Sequence, residues 1–226
     1  MKTTITRSME KIVQDQVLQW QKISSKKKDS FGEVNVITMS REYGSGGVFI
    51  AEKLAKKLGY DLFHQEIIQE MAQSAKISKR IVKTLEQKGL NTLEEAISAL
   101  INERHLWPDE YLRHLMRVIG TIGKHGRAVI VGRGAHVILP VEKILRIRII
   151  CPLPNRVKNI ARRLNVPEPE ARKIVLKTDA DRRSFIRKYF YVDASDPLNY
   201  DVVINTGRIS FDTAVESIIA GLKTLN

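Results

Sequence analysis

The stretch VNVITMSREYGSGGVFIAEKLAKKLG, residues 34–59, decides the fold. Its first seven residues form a short β-branched run, which is typical of a strand. A glycine cluster, Gly44–Gly47, comes next, and apolar side chains then recur at helical spacing: Ile50, Leu54, Ala55 and Leu58. Gly59 is placed to end this helix as its C-cap. The order strand, glycine loop, helix predicts an α/β protein.

The rest of the chain continues this alternation. Further strands are predicted at residues 60–63, 128–131, 145–150 and 202–205, and helices at about 65–75, 78–88, 92–106, 109–124 and 211–222, with a basic helical region at 154–190. Ser78 and Thr92 are expected as N-caps. The strand at 145–150 alternates charged and apolar side chains, as an outer strand does. Strands that alternate with helices predict a three-layer fold on a parallel sheet, with the ligand site beyond the strands' C-terminal ends.

Length and composition bound the class of protein. The chain has 226 residues, of which 43% are hydrophobic and 28% charged, values that exclude a disordered or collagen-like chain. We expect one domain with insertions. No apolar run approaches the length of a membrane span, about 20 residues, so the protein is expected in the cytoplasm. Cys151 is the one cysteine in the sequence and is expected as a buried thiol.

The charge points to anionic partners. The sequence has 38 Lys+Arg against 25 Asp+Glu, a formal net charge of +13, which favours nucleotide phosphates, nucleic acid or an anionic membrane surface.

Residues 1–33 differ from the rest of the chain. Apolar side chains at helical spacing predict an amphipathic helix there: Met9, Ile12, Val13, Val17 and Trp20. Lys26–Lys28 then form a basic linker. The helix packs on its own domain or on the partner of a homodimer, or else docks on a membrane surface or another protein.

The glycine loop is suited to phosphate. Gly44, Ser45, Gly46 and Gly47 lie between a strand and a helix, where inward-turned N–H groups and the helix start attract an anion. The alternative is a tight turn that needs glycine for backbone reasons alone. The full phosphate loop G-x-x-x-x-G-K-[ST] fails here, because Gly47, Val48 and Phe49 occupy the places where a lysine and a hydroxyl residue would sit. A dinucleotide fingerprint fails because its last position is Phe49.

Arg133 is a second candidate for binding phosphate. Glycines flank it directly after the predicted strand 128–131, where its planar fork of donors could bind phosphate through two hydrogen bonds. A salt bridge on the rim of the sheet is the alternative. His136, in the same segment, is expected to pack rather than to act as an acid or base.

Residues 179–190, taken with four basic residues upstream, form the densest positive region of the chain: Arg162, Arg163, Arg172 and Lys173. Arg183 and Arg187 share one face of the predicted helix, and Asp179 is expected to pair with Arg182 or Arg183. This arrangement indicates a lid whose arginines close over the transferred phosphate. The alternatives are a nucleic-acid surface and a solvated charged helix.

Taken in order, these motifs resemble those of the cytidylate kinase-like family, which has the nucleoside monophosphate kinase architecture. The matching segments are residues 37–47 (opening strand and loop), 62–68 (second strand), 131–134 (third strand), 179–189 (lid) and 199–206 (last strand). Together they run from about residue 34 to residue 222. The chain departs from the family at Val48 and Phe49, where a charged pair is common, and at His64, where an acidic residue is usual.

The resemblance implies a P-loop kinase-like fold for residues 34–226, with a helical substrate-binding insertion at 65–126 and a basic lid within 154–190. It implies ATP-dependent phosphoryl transfer to a nucleoside monophosphate, a pyrimidine one, with Mg²⁺ carried by the nucleotide. No dedicated cluster of metal ligands is evident in the sequence.

The resemblance also implies roles for individual residues. Gly44–Gly47 would hold the donor phosphates, Arg133 the acceptor phosphate, and Arg182 and Arg187 would act from the lid. Arg41, beside the loop, is the nearest candidate to replace the missing lysine. Two other functions stay open. One is a catalytically silent nucleotide-binding or protein-interaction module, and the other is nucleic-acid binding, for which the sequence has no recognised reader motif.

Overall fold

A parallel sheet is the centre of the fold. The computed structural model describes residues 9–24 and 34–225. Its strands are β1 (Val36–Arg41), β2 (Asp61–Phe63), β3 (Ala128–Val131), β4 (Ile144–Ile150) and β5 (Val202–Asn205). In the described residues they form one five-stranded sheet in the order β2-β3-β1-β4-β5, with every neighbouring pair parallel. The predicted α/β class and parallel sheet are confirmed.

The first strand lies in the middle of this sheet. Ile37 stands opposite Val129 of β3 and Leu145 of β4. Because parallel strands end at the same edge, the loops that follow β1 and β3 leave the sheet on the same side. The two glycine-rich segments of the sequence are therefore brought to one edge.

The prediction that residues 145–150 form an outer strand was wrong. β4 pairs with β1 on one side and β5 on the other. Its two arginines are accommodated by residues that directly precede β5. Arg146 forms a bidentate ion pair with Asp201, and Arg148 Nη1 donates to Tyr200 Oη at 3.3 Å. The alternating charged residues of this strand bind partners within the fold and do not indicate that the strand is exposed to solvent.

The helices of the described residues divide between two compact units. They are α1 (Met9–Ser24), α2 (Gly47–Leu58), α3 (Gln65–Gln73), α4 (Ala75–Val82), α5 (Gln87–Glu103), α6 (Glu110–His125), α7 (Ala135–Ile138), α8 (Leu153–Leu164), α9 (Glu168–Phe190) and α10 (Phe211–Thr224). The helical unit holds α1 and α3–α6, and the sheet unit holds the strands and the other helices.

In the helical unit, the N-terminal helix packs on its own chain. Val17 and Trp20 of α1 are buried, and the Trp20 ring stacks on His125 of α6 with centroids 4.1 Å apart. The second tryptophan, Trp107, lies between α5 and α6 and is 90% exposed. The predicted basic linker, Lys26–Lys28, lies outside the described residues.

Both N-cap predictions in this unit were wrong. Ser74 caps α4 by accepting from the Ile77 N–H, while Ser78 is buried inside the helix with its hydroxyl 3.1 Å from His114 Nδ1. Thr92 also lies inside a helix, because α5 begins at Gln87, and its hydroxyl donates to the Lys88 carbonyl. Serine and threonine can satisfy their hydroxyls within a helix, so their presence alone does not mark its start.

In the sheet unit, helices cover both faces of the sheet. Ile50 and Leu54 of α2 and Ile218 of α10 are fully buried in one core with Ile37 and Ile147. Burying each such side chain stabilises the fold by about 1.5–3 kcal/mol. On the opposite face of the sheet, α7 contacts β1. In this contact, Nδ1 of His136 in α7 lies 3.5 Å from Oγ of Ser40 in β1. Gly59 ends α2 as predicted, with a left-handed backbone and its N–H bonded to the Ala55 carbonyl. Cys151 is buried, also as predicted.

Among the described residues, no helix has the length and the apolar composition that crossing a membrane requires.

Candidate functional site

The loop between β1 and α2 has the backbone of an anion cradle. Gly44 and Gly46 are left-handed, with φ of 85° and 81°, and α2 starts directly afterwards at Gly47. Gly46 is the N-cap and, as a glycine, makes no side-chain capping hydrogen bond. The first N–H groups of α2 are therefore available to an anion, which the positive end of the helix dipole also attracts.

Close packing as well as conformation requires glycine in this loop. A Cβ on Gly46 would lie 2.2 Å from Cζ of Phe211, and one on Gly44 would lie 2.8 Å from the Arg156 carbonyl oxygen. The Phe211 ring in turn stacks on Phe49 at 6.3 Å between centroids. The absence of side chains at Gly46 and Gly44 thus allows the Phe211 ring and the backbone of α8 to pack directly against the loop.

Gly46→Ala is expected to weaken binding of a nucleoside triphosphate by at least about tenfold, because the loop must deform to clear Phe211. Gly59→Ala is the matched control, since Gly59 is also left-handed but its Cβ would meet nothing closer than 3.7 Å. Both changes incur the strain of a left-handed alanine, about 1–2 kcal/mol. Calorimetric titration with ATP should separate them, and equal affinity in the two variants would assign the Gly46 requirement to stability alone.

A buried ion pair anchors the loop. The Tyr43 N–H donates to Asp179 Oδ1 at 2.8 Å, and the other oxygen of Asp179 pairs with Arg156. The side chains of Arg156 and Asp179 are only 8% and 9% exposed. Arg156 also donates from Nε to the Cys151 carbonyl at 2.8 Å and lies 3.4 Å from the Glu42 carboxylate. The expected pairing of Asp179 with Arg182 or Arg183 was wrong, because Asp179 faces into the fold rather than along its own helix.

The structure brings three of the predicted site features together: Arg41, the glycine loop and Arg182. Arg182 Nη1 donates to the Arg41 carbonyl at 3.2 Å, and its guanidinium lies 5.3 Å from the centre of the Tyr43 ring. Arg163 lies 5.1 Å from the centre of the same ring and donates to its hydroxyl. Arg41 itself is half-buried at the end of β1. Arg182 therefore contacts the residues that lead into the glycines of the loop.

Arg133 lies in a separate turn at the same edge of the sheet. Its φ is 53°, between the left-handed Gly132 and Gly134. Its guanidinium lies 4.9 Å from the centre of the Phe185 ring on α9, one turn after Arg182. His136 is buried and stacks on the Tyr200 ring at 5.1 Å between centroids, which agrees with the expected packing role.

The other predicted lid residue, Arg187, is exposed near the end of α9. Its charge acts on Asp193, whose pKa is lowered chiefly by hydrogen bonds from the Ser195 hydroxyl and N–H, with smaller contributions from Arg187 and Arg148. No contact in the described residues joins Arg187 to the glycine loop.

Three residues of this site were not identified from the sequence: Arg156, Tyr43 and Phe211. Each reaches the loop from a distant part of the chain or, for Tyr43, through a ring contact that no local pattern reveals. Tyr43 lies inside the glycine motif, and Arg156 follows the proline-bounded start of α8, but neither signal specifies a partner. No group of three or more potential metal ligands occurs in the parts of the chain that the structure describes.

A family model and two relatives of known name agree on one family. The model of the cytidylate kinase-like family matches residues 36–208. A cytidylate kinase of Methanocella arvoryzae is 28% identical over 174 residues, which are 76% of this chain and 88% of that protein. One of Ignicoccus hospitalis is 25% identical over 186 residues, 82% of this chain and 97% of that protein. Among solved structures, an uncharacterized protein from Eubacterium ventriosum superposes with a TM-score of 0.69 at 24% identity, covering 85% of this chain and 99% of that one.

Proposed function

The chain belongs to the cytidylate kinase-like family, and from that premise we propose that it transfers a phosphoryl group from ATP to a nucleoside monophosphate, with a pyrimidine nucleotide as acceptor. The observation that carries the proposal is the uncapped start of α2 behind two left-handed glycines, with Arg41 and Arg182 at the same loop. Phosphoryl transfer depends on positioning and on neutralising charge on the transferred group. A cradle of N–H groups flanked by arginines can supply both.

Each part of the site has a role in this proposal. The N–H groups of Gly44–Gly47 hold the donor phosphates, and Arg182 stabilises the charge that develops on the transferred phosphoryl group. Arg187 joins Arg182 if the exposed end of α9 moves toward the bound nucleotides. When bound with ATP, Mg²⁺ would neutralise charge on the phosphate oxygens. The carboxylates beside the loop, Glu42 and Asp179, are engaged by Arg156. The donors at the loop thus suit the phosphate chain of a nucleotide.

Arg133 binds the acceptor phosphate in this proposal. Arg133→Lys keeps the charge but loses the planar fork, so acceptor binding should weaken by about 1–3 kcal/mol. Arg127→Lys is the matched control, because Arg127 is also left-handed and lies over a ring, that of Tyr60 at 5.7 Å, at the opposite end of β3. Steady-state kinetics in the acceptor provide the measurement. A Michaelis constant that is unchanged in Arg133→Lys would remove Arg133 from the acceptor site.

A phosphate-transfer screen tests the function itself. Purified protein is incubated with ATP and Mg²⁺ and with each common ribo- and deoxyribonucleoside monophosphate, and diphosphate products are separated by chromatography. Turnover is expected with a pyrimidine nucleotide. The alternative is a catalytically silent nucleotide-binding module, which Gly47 favours because it stands where a phosphate loop has its lysine. That module would bind nucleotide in calorimetry and yield no product with any acceptor.

Two expectations about partners are independent of this activity. A homodimer through α1 would use the side of the helix that carries the exposed Leu18, because Val17 and Trp20 are already buried in the helical unit. Sedimentation at several protein concentrations tests it. Nucleic acid is not expected as a partner, and a mobility-shift assay with single- and double-stranded probes tests that expectation.

A further inference from the structure

The glycine loop contains a motif in which two residues have exchanged places. When the pattern G-x-x-x-x-G-K-[ST] is placed with its second glycine on Gly46, its first glycine falls on Arg41 and its lysine on Gly47. The loop therefore has the length of a phosphate loop. Its cation stands at the first position of the motif instead of the seventh, and its glycine stands at the seventh instead of the first.

The geometry explains why the two positions change together. A Cβ on Gly47 would lie 2.8 Å from Cβ of Arg41 and 3.2 Å from its Cγ. Gly47 starts α2 and is not among the described glycines with positive φ, so its backbone alone does not require glycine. The stem of Arg41 occupies the space into which a side chain at position 47 would extend. A side chain at either position excludes one at the other.

The direction of the Arg41 side chain follows from the strand. Ile37 and Met39 of β1 lie in the core that α2 covers, and side chains alternate along a strand, so Arg41 extends from the same face toward the first turn of α2. The Arg41 carbonyl accepts from Arg182, which fixes the end of β1. The Arg41 side chain thus starts from an anchored backbone beside the uncapped helix start.

We propose that Arg41 is a catalytic residue that delivers to the donor phosphates the positive charge that a lysine at position 47 would deliver. This inference rests on the proposed function. In the reaction, the bond from the γ-phosphorus to the β–γ bridging oxygen breaks, and a bond forms to a phosphate oxygen of the acceptor. Arg41 remains protonated and exchanges no atom. Its guanidinium can donate two parallel hydrogen bonds to phosphate oxygens, which the point charge of a lysine cannot do.

The mutual exclusion is tested without nucleotide. Gly47→Ala is made in the parent and in Arg41→Gly, and urea midpoints of all four proteins are compared. In the parent, Gly47→Ala should lower the urea midpoint. In the Arg41→Gly protein, the same change should leave the midpoint unchanged or raise it, because alanine is the better helix former once the space is free. An equal fall in both backgrounds would overturn the geometric basis of the exchange.

The charge is tested by affinity and turnover. Arg41→Gln keeps most of the stem and should lower kcat about 100-fold, as loss of one charge-stabilising donor does, whereas Arg41→Lys should retain part of the activity. The decisive protein is Arg41→Gly combined with Gly47→Lys, which restores the usual motif. Its kcat and its affinity for ATP should each be at least about tenfold higher than those of the Arg41→Gly protein. Arg127→Gln, at the far end of β3, controls for loss of an arginine from the sheet unit.

The outcomes separate this inference from the proposed function. Turnover could be absent from the parent with every acceptor, and the kinase proposal would then fail. Calorimetry with ATP and with inorganic tripolyphosphate still tests Arg41 in that case, since the affinity should fall in Arg41→Gln and return in the double variant. Parent-like affinity in Arg41→Gln, no recovery in the double variant, or no binding of either ligand by the parent would overturn the role of Arg41.

Discussion

Arg182→Ala is expected to lower kcat by about 10³-fold or more while ATP binding to the variant changes little. An arginine that stabilises charge on a transferred phosphoryl group acts mainly in the transition state, so its loss appears in turnover rather than in the affinity for one substrate. Arg182 already contacts the Arg41 carbonyl and the Tyr43 ring, so only a local movement of its guanidinium is needed to reach a bound phosphate.

The neighbouring Arg183 provides the control. It is exposed on the same helix, and Arg183→Ala removes the same charge from the region without touching the loop. The kcat of Arg187→Ala is expected to lie between those of Arg182→Ala and Arg183→Ala, because Arg187 must approach the phosphate from an exposed position. Single-turnover and steady-state measurements with the acceptor found in the screen give the comparison. Equal kcat in Arg182→Ala and Arg183→Ala would exclude Arg182 from the reaction.

Arg156→Met is expected to cost about 3–5 kcal/mol of the free energy of unfolding, because it leaves the buried Asp179 carboxylate without its ion-pair partner. Glu42 would lose the same neighbour. Arg156→Met combined with Asp179→Leu should cost less than the single change, since the buried Asp179 carboxylate is removed together with its partner. Urea unfolding of the three proteins measures the difference.

A second ion pair of the same unit serves as reference. Arg146 pairs with Asp201, but these side chains are 21% and 29% exposed, and water can reach them when the partner is removed. Arg146→Met should therefore cost only about 1 kcal/mol. An Arg156→Met protein as stable as Arg146→Met would contradict the assignment of Arg156 as the anchor of the loop.

The segment from β1 to Gly59 could be predicted because its signals are local. The strand, the glycine cluster and the C-cap at Gly59 each depend on residues within one or two turns of each other, so a pattern in the sequence determines them. Arg41 was predicted beside the loop from the local sequence, and Arg182 was expected to act from the lid through the family resemblance. Their contact with each other required the structure.

The errors share a physical cause. Asp179 pairs with Arg156, 23 residues away, instead of with a neighbour on its helix. β4 is an inner strand, and Asp201 and Tyr200 contact its two arginines. Ser78 lies inside a helix because His114 offers its hydroxyl a buried partner. In each case a tertiary contact outweighed a local preference that is worth about 1 kcal/mol or less.

The placement of the two tryptophans has a spectroscopic consequence. The sequence contains two, and both Trp20 and Trp107 belong to the helical unit. Intrinsic tryptophan emission therefore reports on that unit alone, with Trp20 against His125 as the shielded fluorophore and Trp107 as the solvent-exposed one. Circular dichroism reports on the helices of both units. If the two signals follow the same denaturation curve, the units unfold as one cooperative system, and separate curves would reveal a species in which only one unit is melted.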